Sequence, residues 1–267
     1  MFAKLAMTAV ASVCATAWAT GALAEDTVVR MGTEGYYPPF NVFDSAGQIK
    51  GFDIDIGNAL CARMEVKCEW VTTDWDGIIP ALNADKFDTI IASMSITDER
   101  SKIVSFTDPY YFNGIRFVAA EGHGLENALP ADLKGLVIGT QSATGEVDIL
   151  EDYFPDSELK LYPKLDDALL DLETGRVDLV LASQFVLGDW LKSEDGGCCE
   201  FVGEAFLPDF AKGTGVAVRQ DDTDLRDALN AALADIVADG TYEKIRGEYF
   251  AFDIMTQPKK ASEHLGN

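Results

Sequence analysis

Histidine is almost missing. The 267 residues contain two, His123 and His264, and neither stands in a metal-ligand spacing. Histidine metal sites and Ser-His-Asp catalysis therefore lack their central residue. Basic residues are scarce too, 21 against 45 acidic ones, for a formal charge of -24. Phosphate backbones and anionic membranes are both gripped by positive surfaces, so this balance argues against a nucleic-acid partner and against polybasic membrane docking. Beyond the N-terminus no stretch reaches 18 apolar residues, so no later segment reads as a membrane span. What is present, 48% hydrophobic and 25% charged residues, is the composition of a folded globular protein.

The first 24 residues read as an address. Lys4 gives a positive start, Leu5 to Trp18 are mostly apolar or small, and Ala22-Leu23-Ala24 offers a cleavage site before Glu25. That is the layout of a secretory signal peptide, so export and a periplasmic location are expected. Cys14 falls inside it without the small neighbour that lipidation favours. Four cysteines follow, Cys61, Cys68, Cys198 and Cys199. An even number in an exported chain is readable as disulfides. Cys61 and Cys68 span a helix end and the next strand, where a local bridge or two buried thiols both fit. Cys198-Cys199 lies after Asp195-Gly196-Gly197, a surface-loop signal, and has no ligand partners nearby in sequence.

Strand and helix signals alternate, the mark of an α/β architecture. Val28–Gly32, Lys67–Val71 and Asp88–Ala92 read as strands, with helices after Asp53 and Asp74 between them; Asp53 is expected to cap the first. The pattern restarts with strands at Leu136–Gly139, Lys160–Tyr162 and Val177–Ala182 and helices from about Ala143 and Asp166. Gly175 ends the latter. Two helices close the chain, near Asp222–Ala238 and Thr241–Tyr249. The expected organisation is a first lobe of 25–113 plus 214–257, a second lobe of 114–213, and a frayed polar tail, 258–267. Two chain crossings would then form a hinge, and a cleft between lobes is where a small ligand binds.

Five clusters sit at predicted strand ends, the usual ligand side of such sheets. Gly32–Phe40 carries Glu34, a carboxylate for a cation, and Tyr37, a flat face. Thr73–Gly77 carries Trp75, which can stack on a guanidinium or serve as core. Ala92-Ser93-Met94-Ser95 runs into Arg100; hydroxyls and free N–H groups bind anions, and an arginine completes the grip on a carboxylate. Gly139–Gly145, with Gln141 and Thr144, has the same form in the second lobe but lacks the Gly-Lys-Ser/Thr of a P-loop. Ala182-Ser183-Gln184 is the fifth.

In this order the clusters resemble the periplasmic solute-binding proteins of polar amino acid ABC importers, the lysine/arginine/ornithine and histidine group. Further matches are Gly51–Asp55, Ser105–Tyr110, Thr174–Asp178 and Asp239–Ile245, so the resemblance spans nearly the whole exported chain. It implies a two-lobed, type II periplasmic binding fold and a Cys61–Cys68 disulfide. It implies that Arg100 grips the ligand α-carboxylate with Ser95 and Thr144, and that Ser93 and Ser95 accept from the α-amino group. Tyr37 and Trp75 would sandwich the side chain, Glu34 would meet a distal cation, and Ala92, Met94, Gln141 and Ser183 would complete the lining. It implies a small zwitterionic ligand, a membrane permease as partner, a monomer, and no metal or cofactor. Two departures stand out. Ser183 replaces an aspartate that pairs with the α-ammonium in relatives binding free amino acids, which resembles the opine-binding branch; and Ser142-Ala143 stands where relatives often have Gly-Thr. Two other functions share the fold: a cyclohexadienyl dehydratase-like lyase, for which Glu34 is the available acid, and a sensor partner of a membrane receptor.

Overall fold

The computed structural model describes residues 27–266; the expected signal segment 1–24 lies outside the described residues. Strand β1 (Val28–Thr33) leads into a small three-stranded sheet of β2 (Tyr36–Tyr37), β3 (Asn41–Phe43) and β4 (Ile49–Lys50). Next come α1 (Phe52–Arg63), β5 (Lys67–Thr72), α2 (Ile78–Asn83), β6 (Thr89–Ile90) and β7 (Val104–Phe106). The chain then builds a second unit from β8 (Ile115–Ala120), β9 (Val137–Gln141), α3 (Gly145–Tyr153), β10 (Glu158–Tyr162) and α4 (Leu165–Glu173). That unit finishes with β11 (Leu179–Ser183), α5 (Gln184–Trp190) and β12 (Cys199–Phe206). The return to the first unit brings β13 (Ala217–Arg219), α6 (Thr223–Ala238) and α7 (Thr241–Tyr249).

The two lobes share one plan. The first sheet is ordered β5-β1-β6-β13-β7 and the second β10-β9-β11-β8-β12. In each, the strands joined through helices are parallel: β5, β1 and β6 in one, β10, β9 and β11 in the other. Strands β13, β8 and β12 run antiparallel to their neighbours. β8 and β13 follow the direct crossings between lobes, where no helix intervenes to reverse the chain, whereas β12 follows α5 and runs with β11, antiparallel only to the β8 between them. The carboxyl ends of the parallel strands therefore point to one side in each lobe, and that side is the cleft.

Asp53 does not cap α1. Gly51 does, at φ 126°, where a Cβ would run into the Phe40 carbonyl. Asp53 lies inside the first turn, fully buried. Its carboxylate accepts from Asn41 Nδ2 (2.9 Å), Ser93 Oγ (2.9 Å) and Tyr110 OH (2.7 Å), tying four segments of the first lobe together. Around it Phe40, Phe52, Tyr110 and Tyr111 form an aromatic core, with Phe40 stacked on Tyr111 at 5.0 Å. The end of α1 is joined to β5 by a Cys61–Cys68 disulfide, Cα–Cα 5.8 Å. Cys198 and Cys199 are bonded to each other at the start of β12.

The C-terminal segment corrects the expectation of a frayed tail. After α7 the chain crosses back to the second lobe, a third crossing that the sequence reading did not anticipate. Phe112 N donates to Ile254 O (2.9 Å), Lys260 bridges to Leu207, and a final turn, α8 (Ala261–His264), docks there. Ala261 and Leu265, four residues apart on one helical face, are buried with Ile115 and Phe206, while Ser262 Oγ donates to Asp209 (2.7 Å). A segment that is polar on average still anchors through two well-placed apolar residues.

Candidate functional site

Four of the parallel strands, β1, β5, β6 and β9, lead into segments that line the cleft. The loop after β1 carries Glu34 and Tyr37, the turn after β5 carries Trp75, and the segment after β6 carries Ala92, Ser93 and Ser95. From the second lobe, β9 ends on Gln141 and Thr144 opens α3. These residues and Arg100 border a cavity between the lobes.

Arg100 holds the cleft on both sides. Its Nη1 donates to Ser95 O (3.0 Å) in its own lobe and its Nη2 to Ala143 O (3.1 Å) across the cleft. The guanidinium carbon lies 5.4 Å from the centre of the Trp75 ring, and Trp75 Nε1 donates to the same Ala143 carbonyl at 3.2 Å. Ala143 presents that oxygen from a left-handed backbone, φ 56°. Ser142 Oγ adds a contact to Asp76 (3.1 Å).

Glu34 is 6% exposed. Its one side-chain hydrogen bond comes from Gln141 Nε2 of the opposite lobe, 3.0 Å from Oε1. Burial pushes its carboxyl up to about 7, with the Gln141 bond pulling the other way. The charge of Lys164 favours its ionised form, but Asp166 and Asp74 oppose it, and a cation entering the cavity would add a direct partner.

Two expected lining residues are elsewhere. Met94, 1% exposed, turns into the core of the first lobe with Ile78, Leu82 and Phe87, because its neighbours Ser93 and Ser95 take the cleft side. Ser183 is fully buried and caps α5. Ser93 does border the cavity, but its hydroxyl hydrogen is committed to Asp53. Gly145, the last residue of the fourth cluster, borders the cavity as well, and so do two residues that the sequence reading missed, Asn113 and Glu146. Asn113 sits in the irregular crossing before β8, where no periodicity marks it. Glu146, in the first turn of α3, looks in sequence like any acidic residue placed against a helix dipole. Burial raises its carboxyl above the usual range, against the pull of its own backbone N–H and of Arg100.

The cavity thus offers a buried carboxylate, a guanidinium, two aromatic faces and several neutral hydrogen-bonding groups. Among the described residues no group of three His, Cys, Asp or Glu is arranged to hold a metal. This is the layout for gripping a small charged solute at both ends.

Known proteins agree with that layout. Residues 29–252 match the model of the bacterial extracellular solute-binding proteins, family 3. An L-arginine-binding protein of Pseudomonas aeruginosa is 42% identical over 236 residues, covering 86% of this chain and 91% of that one. The lysine/arginine/ornithine-binding periplasmic protein of Escherichia coli is 39% identical over 231 residues, 85% of this chain and 88% of its own length. Among solved structures, an ancestral arginine-binding protein bound to arginine superposes with a TM-score of 0.78 at 35% identity, covering 84% of this chain and 98% of that chain. A periplasmic His/Glu/Gln/Arg/opine family-binding protein from Silicibacter pomeroyi, in complex with lysine, gives 0.75 at 33%, covering 85% and 99%. With the match spanning both sheets and every cleft-lining loop, the chain belongs to the bacterial extracellular solute-binding proteins, family 3.

Proposed function

We propose that this protein is the periplasmic binding component of an ABC importer and that it closes on an arginine-type solute, a basic amino acid or a conjugate of one. The observation that carries this reading is Glu34: a buried carboxylate with a single neutral partner, opening on the same cavity as the Arg100 guanidinium. The distal cation of the solute pairs with Glu34. Tyr37 and Trp75 flank the aliphatic stem. The carboxylate meets Arg100, Ser95 and Thr144. Each charge-assisted hydrogen bond contributes about 1.5–3 kcal/mol, so these two ends dominate affinity. Closure brings Gln141, Ser142 and Ala143 of the second lobe onto the first, and the permease reads that closed form.

Calorimetric titration with arginine, lysine, ornithine, histidine and arginine conjugates tests the reading. Binding of at least one cationic member, weakened in Glu34→Gln, is expected; no binding by any of them overturns it. A solved relative is an ancestral amino acid-binding precursor of cyclohexadienyl dehydratase, 31% identical with a TM-score of 0.75, and a carboxyl titrating near 7 suits a general acid. Binding without turnover is the reading here, so incubation with prephenate or arogenate is expected to leave both unchanged.

A further inference from the structure

The segment after α7 is fixed to both lobes. Its root belongs to the first. The Phe250 ring lies 5.5 Å from those of Phe40 and Phe52, and Arg246 Nη1 in α7 donates to Phe252 O (3.0 Å). Its far end belongs to the second. Leu207 N donates to Lys259 O (2.8 Å), Ala261 N donates to Leu207 O (2.8 Å), and Leu265 is buried with Ile115 and Phe206. Between these ends the segment touches both direct crossings. Ile254 O accepts from Phe112 N (2.9 Å) before β8, and Lys260 Nζ donates to Ala211 O (2.7 Å) before β13. Residues 253–266 lie past the stretch that matches the family.

A link held at both ends has a finite reach. The stretch from Ile254 to Lys260 spans about 20 Å when fully extended. Pro258 fixes one of its backbone angles, and it lies so close to the first crossing that a Cβ on Gly114 would meet Pro258 Cγ at 3.2 Å. The link is docked at both ends while Arg100 and Trp75 reach the Ala143 carbonyl across the cleft. It is therefore compatible with a shut cleft. What it opposes is separation of the lobes, since any opening that parts Phe112 from Leu207 has to stretch it.

We propose that residues 253–265 form a hinge strap that restricts how far the empty protein opens. Solute binding selects the shut arrangement, and apparent affinity falls with the fraction of molecules able to reach it. Removing the widest open arrangements raises that fraction. The strap thus tunes affinity through residues that do not border the cavity.

The test lengthens the strap without undocking its ends. A Gly-Ser insert of about six residues between Thr256 and Gln257, both exposed, leaves every contact named above in place and adds slack. Nitroxide labels on Lys102→Cys and Asp152→Cys, exposed positions beside the cleft mouth on opposite lobes, report lobe separation by double electron–electron resonance without solute. With the insert, the distances are expected to broaden toward longer values, and arginine, used as the probe, to bind about tenfold more weakly. Leu265→Asp undocks the far end and should reproduce both changes, with melting curves confirming that it is folded. An unchanged distance distribution in the insert variant overturns the inference, and so do longer distances with unchanged arginine affinity. Arginine enters only through the proposed solute. If it fails to bind the unaltered protein, that reading falls, and the distances alone decide the strap.

Discussion

Asp53 and Glu34 are both buried carboxylates of the first lobe, and the fold treats them differently. Asp53 accepts from Asn41, Ser93 and Tyr110. Burial pushes it up to about 6, with those three donors pulling it back. Glu34 has Gln141 alone and is pushed up to about 7. One carboxylate has its oxygens satisfied by three donors of its own lobe; the other has a single donor and opens on a cavity. A buried acid whose partners are all internal holds the fold, whereas one left short of partners marks where a ligand belongs.

The largest effect that can break this contrast is on stability. Asp53→Ala strands three buried donors and leaves a small void, so a loss of about 4 kcal/mol in urea denaturation is expected. Glu34→Ala should cost less than about 1 kcal/mol, since it strands one amide that also donates to Pro163 O. Equal losses would mean that Glu34 is as structural as Asp53.

Next comes affinity. Arg100→Ala removes the guanidinium at one end of the cavity, and binding should fall by about 3 kcal/mol, some hundredfold, while the melting temperature of the empty protein moves little. Unchanged affinity in the folded variant would falsify the assignment of Arg100 to the solute carboxylate.

Proton linkage distinguishes the two acids more finely. With Glu34 at about 7 against an ordinary 4.5, the empty folded protein holds a proton there that the unfolded chain has released. That contribution to stability is present below pH 4.5 and is lost as pH rises toward 7. Asp53, about 6 against 3.8, acts in the same direction over a lower window. Binding separates them. A cationic solute displaces the Glu34 proton but never meets Asp53, so affinity should tighten about tenfold between pH 6 and 7.5. Calorimetry in buffers of different ionisation enthalpy should show proton release, and Glu34→Gln should abolish both effects. Proton release that survives in Glu34→Gln would move the linkage to another group, with Glu146 the first to examine.

Much of the fold is legible in the sequence. The alternation of strands and helices and the cleft between two units follow from hydrophobic period; that Glu34, Trp75, Ser95, Arg100, Gln141 and Thr144 belong together at that cleft is what the family resemblance implies, since a glutamate or a tryptophan just past a strand fits the surface or the core as readily. What was illegible depends on direction and not on identity. Met94 and Ser95 are adjacent, and sequence does not say which one faces the cleft when the strand beside them is only Thr89–Ile90. Asn113 borders the cavity from the irregular crossing before β8, where no local pattern marks it. The tail was misread by averaging over polar residues when Ala261 and Leu265 alone decide its docking.

The smallest effect concerns backbone conformation next to the same site. Ser93 and Ala143 both hold left-handed φ, 55° and 56°, without being glycine. Such a conformation costs a residue with a Cβ about 1 kcal/mol. At Ala143 only the carbonyl is used, by Trp75 and Arg100, and a glycine keeps it. Ala143→Gly should therefore raise the melting temperature by about 2–4 °C with affinity little changed. At Ser93 the side chain also donates to Asp53, a bond to a charged acceptor that outweighs the strain. Ser93→Gly should lower the melting temperature although it relieves the same backbone. If both substitutions lower it, the left-handed conformation is not strained at either position. If both raise it, Asp53 draws too little from Ser93 for three internal donors to be what separates it from Glu34.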